Sequence, residues 1–153
     1  MSPIRVNINN QQDVIEIDQQ LVVDAIRRVL AAHGVTTAEV SVAVVNDARI
    51  HTINRVHLNH DYPTDVLSFV YNTSANAVDG ELLVSAETAR RACAEHGMAA
   101  HDELLLYVVH GTLHLVGYDD QTDDARRIMH AQERAVLQQM GITLPGQTPV
   151  VKK

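Results

Sequence analysis

At 153 residues the chain is long enough to bury one proper hydrophobic core and short for two, so we read residues 1–142 as a single domain followed by a flexible tail, 143–153. Its 12 Lys and Arg against 19 Asp and Glu, a formal charge of -7, exclude a broad basic surface for nucleic acid but not a local basic cleft or a metal that takes phosphate. The lone Cys93 excludes an intrachain disulfide, no stretch approaches the ~18 apolar residues of a membrane span, and the N-terminus lacks a signal-peptide core, so a cytoplasmic, reduced, soluble protein is expected.

Aromatic residues are scarce, so aliphatic side chains must fill the core. Ile4, Val6 and Ile8 alternate with polar residues and predict a strand with one buried face. Asp18 or a neighbour can cap a helix whose apolar positions are Leu21, Val22, Ala25, Ile26, Val29 and Leu30, closed by Gly34. The β-branched run Val40, Val42, Val44, Val45 predicts a well-buried second strand. Asn46 or Asp47 caps a short helix to about Val56, and a loop containing His57, His60, Asp61 and Pro63 follows.

Val66 to Tyr71 reads as a third strand, Asn72 to Gly80 as turn, and Glu81 to Ser85 as a short fourth strand, paired with the third as a hairpin or lying beside it. Ala86 to His96 is a helix ending at Gly97, with Cys93 a small packed residue on it. Asp102 opens a central helix whose Leu105, Val108, Val109, Thr112, Leu113 and Val116 form a wide apolar face. A last helix runs from about Asp123 to Met140, with Asp123 and Asp124 favourable near its N-terminus and Gly141 beyond its end. Strands come early and helices late. The expectation is therefore an α+β domain, a small mixed sheet of four strands packed on the central helix in a zincin-like manner.

The chemistry concentrates in His110-Gly111-Thr112-Leu113-His114-Leu115-Val116-Gly117-Tyr118-Asp119-Asp120. Histidines four apart share one helix face, so their imidazoles can converge on a single ion. Gly117 stops the helix, and Asp120 arrives after the turn, with Asp119 its competitor for the same role. Two nitrogens and a carboxylate oxygen make a three-ligand site with one open position, the ligand set of a catalytic zinc. The spacing matches the zinc-peptidase pattern H-E-x-x-H-x-x-G-x-x-H with Asp in the third ligand place. Gly111, however, stands where those peptidases carry their general-base glutamate.

Taken with Asp61-Tyr62-Pro63-Thr64-Asp65-Val66-Leu67-Ser68-Phe69, this motif resembles the YbeY family of bacterial endoribonucleases. The resemblance continues through Gly80-Glu81-Leu82-Leu83-Val84-Ser85 to the last helix, and reaches the N-terminal part only by general layout. It implies a single-strand-specific, metal-dependent RNA hydrolase. Such a protein acts in rRNA processing, notably at the 3′ end of the small-subunit RNA, and in ribosome quality control. The implied partners are single-stranded RNA, ribosomal RNA and the small ribosomal subunit, with no DNA and no membrane. The implied cofactor is one Zn²⁺ held by His110 and His114, with Asp120 where the family usually has a third histidine. Asp119 is assigned to the turn and to supporting the ligand.

Many family members also carry Tyr and Arg where this chain has His57 and Leu58. Arg55, His57 and His60 are the nearby groups able to supply positive charge in place of that arginine, or are ordinary loop residues. Thr64 and Ser68 either donate to phosphate or satisfy the surrounding backbone. The base is water on the metal, His60 or Asp65. Two alternatives accompany the nuclease reading: a non-catalytic ribosome-assembly factor with a structural metal, and a metallopeptidase, which Gly111 disfavours.

Overall fold

The computed structural model describes residues 3–58 and 65–144. Its elements are β1 (Ile4–Asn10), α1 (Gln19–Ala32), β2 (Thr37–Val45), α2 (Asp47–Leu58), β3 (Val66–Thr73), β4 (Ala77–Ser85), α3 (Ala86–His96), α4 (Ala100–Leu115) and α5 (Asp123–Gln139). The strands form one mixed sheet in the order β1-β2-β4-β3, with β1, β2 and β4 parallel and β3 antiparallel to β4. This is the α+β domain with a four-stranded sheet that the sequence predicts. No helix among the described residues is long and apolar enough to cross a membrane.

Alternation along the strands sorts the side chains into two unequal layers. Val40, Val42, Val44, Val78, Leu82 and Val84 point into the main core, which α1, α4 and α5 complete with Ile26, Leu30, Leu104, Leu105, Val108, Leu113, Met129 and Leu137. Val45, Leu67 and Leu83 point the other way and meet Ile50 of α2 in a smaller cluster. The helix bearing the two histidines is the centre of the large layer: α4 buries ten of its 16 residues and touches α1, α3, α5, β3 and β4. Each Leu or Val buried there contributes about 1.5–3 kcal/mol relative to exposure, which fixes α4 as a rigid mount. Its buried Thr112 hydroxyl is satisfied within the helix, donating to the Val108 carbonyl at 2.7 Å.

Four boundaries differ from the sequence reading, each for a local reason. Helix α2 continues to Leu58, so His57 is helical and not in a loop. Ile50, Ile53 and the fully buried Asn54 keep one face against the sheet through that turn. The stretch Asn72 to Gly80 is mostly strand: Asn72 pairs with Asp79 and Thr73 with Val78 after a register shift beyond Val70. Asn72, Thr73, Ser74, Asn76 and Asp79 are polar and exposed, while Val78 turns into the main core. Helix α4 begins at Ala100 instead of Asp102, behind Ala99, whose side chain makes no capping bond and so left no signal. Ile142 and Leu144 are still packed in the core, so the domain extends past residue 142. Residues 145–153 lie outside the described residues.

The other starts and stops follow their capping chemistry. Asp18 accepts from the Leu21 amide and Ser85 from the Thr88 amide, while Asn46 accepts from the Arg49 amide. At the start of α2, Asp47 accepts from Ser85 Oγ (2.5 Å), Thr88 Oγ1 (2.8 Å) and Arg91 Nη1 (2.6 Å), tying α2 to β4 and α3. Burial alone raises its pKa, but these three hydrogen bonds and the charge of Arg91 outweigh it and hold the carboxyl below its usual range. A depressed folded-state pKa gives stability that is present above the unfolded value of about 3.9 and lost as pH falls through the folded value. Asp47→Ala is therefore expected to lower stability by about 2 kcal/mol at neutral pH, with the gap to the parent closing below about pH 4. Urea unfolding across that range measures it, and a gap that widens on acidification would contradict this account.

Candidate metal centre

Gly111 sets the geometry. A Cβ placed there would lie 2.9 Å from Leu82 Cδ2, 3.0 Å from Val66 Cγ2 and 3.1 Å from Ser68 Oγ, so α4 lies against β3 and β4 with nothing between. A side chain at this position would force Leu82, Val66 and Ser68 to move, and the peptidase's general-base glutamate is absent from the sequence. With Gly111 facing the sheet, His110 and His114 lie about 60–100° round the helix from it, both on one side. That places them at the rim of the buried face, with side chains 24% and 28% exposed.

Helix α4 ends at Leu115, and Gly117 takes a φ of +106°, which lets the chain double back at once. The turn delivers Asp120. Its Oδ2 is 3.6 Å from His110 Nε2 and 3.7 Å from His114 Nε2, and the two Nε2 atoms are 3.2 Å apart. The middle of a triangle with those sides is about 2 Å from each corner, the bond length of zinc to nitrogen or carboxylate oxygen. Arg126 donates to the Asp120 carbonyl at 2.9 Å and is paired with Asp123, which holds the turn in place. Asp119 points elsewhere and caps the turn, accepting from the Gln121 amide at 3.1 Å. His110, His114 and Asp120 can thus hold a metal ion, and they are the one such group among the described residues.

Both imidazoles are set for that task. His114 Nδ1 is 2.9 Å from the Tyr118 carbonyl, which can only accept, so Nδ1 carries the proton and Nε2 presents a lone pair. His110 Nδ1 is 2.5 Å from Glu133 Oε2 of α5, a carboxylate 2% exposed. The two Nε2 atoms are 3.2 Å apart, so a proton or a cation can sit between them, and the donor set fits a metal. Burial lowers the His110 pKa, but the hydrogen bond and charge of Glu133, with Asp65 and Asp120, outweigh it and raise the pKa above its ordinary value. Behind the turn, Tyr118 Oη is 2.7 Å from His33 Nε2, whose Nδ1 donates to the Val29 carbonyl at 2.8 Å, anchoring the turn to α1.

Of the residues read from sequence as RNA contacts, Ser68 lies against the site helix and donates its hydroxyl to the Gly111 carbonyl at 3.1 Å. Arg55 is exposed on α2, whose packing face meets the opposite side of the sheet from α4. His60 and Thr64, with Asp61 and Pro63, lie outside the described residues. Asp65 binds its own neighbour, accepting from the Val66 amide at 2.7 Å, and its charge is felt at His110. Sequence reasoning missed Glu133. Its signal was an acid on the face of α5 that carries Met129, Val136 and Leu137 into the core.

A family model described as Endoribonuclease YbeY matches residues 7–141. The chain belongs to the YbeY family. A YbeY endoribonuclease from Rhodopirellula baltica is 48% identical over 117 residues, 75% of this chain and 60% of that protein. One from Pelotomaculum thermopropionicum is 36% identical over 147 residues, 89% of this chain and 97% of that protein. The solution structure of TM1509 from Thermotoga maritima covers 97% of this chain and 99% of its own, with a TM-score of 0.57 at 18% identity. That last likeness concerns the fold alone, and it places the mixed sheet and five helices of this YbeY chain in a known arrangement.

The ligand assignment is directly testable. His114→Ala is expected to weaken divalent-metal binding by more than about 100-fold, since even groups supporting a ligand cost 10–100-fold. Asp119→Ala should leave binding intact. Titration against a chromophoric chelator measures both, and undiminished binding by His114→Ala would contradict the assignment.

Proposed function

We propose that this chain is a zinc-dependent endoribonuclease that cleaves single-stranded RNA, acting in ribosomal RNA processing at the 3′ end of the small-subunit RNA and in ribosome quality control. The observation that supports it most is the convergence of His110 Nε2, His114 Nε2 and Asp120 Oδ2 on one point at the protein surface. Three protein ligands with an open fourth position suit catalysis, whereas structural zinc sites are closed by four. This favours an enzyme over an assembly factor with a structural metal.

A divalent ion bound there supplies Lewis-acid polarisation of a phosphoryl oxygen and makes water a better nucleophile near neutral pH. The protein's own part is positional. His110 and His114 present lone pairs from a helix that cannot shift, and Asp120 completes the set from the side open to solvent. Gly111 supplies no carboxylate to take a proton from water or to protonate an amine. A phosphodiester differs from an amide in offering a charged non-bridging oxygen, which a bound divalent ion would hold and polarise. The proton acceptor is water on the metal, His60 or Asp65, and of these Asp65 is a described residue whose charge reaches His110. With a net charge of -7, RNA must be held locally, so affinity should fall only modestly with salt.

The deciding experiment compares cleavage of a labelled single-stranded RNA with that of casein, with and without a chelator. RNA cleavage abolished by chelation, with casein intact, is the expected result. Chelator-sensitive proteolysis without RNA cleavage would overturn the proposal, and metal binding with neither activity would favour the assembly factor.

The third ligand allows a separate test. Asp120→His replaces a carboxylate with an imidazole on an exposed turn, adding one unit of charge to the loaded site. We expect zinc affinity retained or increased and RNA cleavage no lower than the parent's. Lost zinc binding in a folded variant would show that Asp120 holds its place by features an imidazole cannot copy.

A further inference from the structure

Glu133 is the most deeply buried acid near the metal centre, and none of the ligand chemistry requires a residue from α5. It is 2% exposed on the apolar face of that helix, one turn after Met129 and one turn before Val136 and Leu137. An ionised carboxylate in such a place is costly unless its oxygens are matched, and an apolar residue of similar volume would dock α5 at least as well. Its two oxygens are matched by two imidazoles. Oε1 is 3.0 Å from Nδ1 of the exposed His130, one turn back on the same helix. Oε2 reaches across to α4 and meets His110 Nδ1 at 2.5 Å.

We propose that Glu133 is a positioning residue of the metal centre, holding the His110 proton on Nδ1 so that Nε2 is kept as a ligand. The inference rests on the metal-site reading above. Two physical consequences give it substance. A charged acceptor makes the stronger hydrogen bond and raises the donor strength of the opposite ring nitrogen. The two histidines are therefore unequal: His110 leans on a buried carboxylate, His114 on the neutral Tyr118 carbonyl. Charge is also balanced. A divalent ion, Asp120 and Glu133 sum to zero around two neutral imidazoles, so the loaded centre sits at the rim of the core without a net charge.

The test uses the full chain, stripped of metal and titrated with zinc against a chromophoric chelator. Glu133→Gln keeps an oxygen for the Nδ1 proton and removes the charge, while Glu133→Leu removes both. Zinc affinity should fall by about 10- to 100-fold in Glu133→Gln and further in Glu133→Leu. A residue that merely docks α5 would change thermal stability and leave zinc affinity at the parent value. Unchanged affinity in folded Glu133→Gln overturns the proposal. Nitrogen-15 spectra of the metal-free parent at alkaline pH provide a check that needs no variant. The His110 proton is expected on Nδ1, and finding it on Nε2 also overturns the proposal. A parent that binds zinc but cuts no RNA would remove the nuclease reading and leave this one standing, whereas a parent that binds no zinc removes both.

Discussion

The metal centre depends on how closely α4 can lie against β3 and β4. Gly111 is the contact, with side-chain atoms of Leu82, Val66 and Ser68 filling the space a methyl group would need. The Ser68 hydroxyl donates to the Gly111 carbonyl, so the approach is held by a directional bond as well as by packing. Once that face is fixed, the rotation of the helix about its axis is fixed too. The two histidines can then point only toward the turn and α5. A missing side chain thus decides where two functional ones go.

Around that contact the fold sets its few buried charges in pairs. Glu103, fully buried at the start of α4, accepts from His96 Nδ1 at 2.9 Å and from the Tyr107 phenol, whose pKa burial and this bond raise well above its usual value. Glu133 does the corresponding work at the other end of the helix, toward His110. Both acids are matched to imidazoles, as burial demands. They differ in what lies beyond the imidazole. The far side of His96 is half exposed to solvent, while the far side of His110 faces another histidine and a carboxylate.

Much of this was legible in the sequence, and the reasons are local. Asp18, Gly97, Gly117 and Gly141 marked helix boundaries because capping requires particular side chains or a positive φ. The grouping of His110, His114 and Asp120 was legible because four-residue spacing, a stop and a short turn leave little freedom, and the three form a group that could hold a metal ion. What was not legible depended on distant partners. Asn72 to Gly80 looked like turn because most of its residues are polar or small, and only pairing across the hairpin makes Asn72, Thr73 and 77–80 strand. The strand order, with β4 between β2 and β3, rests on contacts no local pattern encodes. Glu133 was hidden by distance, since its partner is 23 residues away on another helix.

The three candidate ligands are also divided by where they are mounted. His110 and His114 stand on a helix packed on almost every side, and neither can be exchanged without disturbing hydrogen bonds that reach α5 and the Tyr118 turn. Asp120 stands on the turn past Gly117, 46% exposed, held through its backbone carbonyl by Arg126. Its side chain owes nothing to the core. The candidate centre therefore has a fixed half and an adjustable half, and the adjustable half contributes one of the three atoms that could hold an ion. Exchanging a single turn residue can retune the hardness and charge of the site while the domain beneath it folds as before. For a protein engineer, position 120 is the place to vary metal preference without reopening the question of stability.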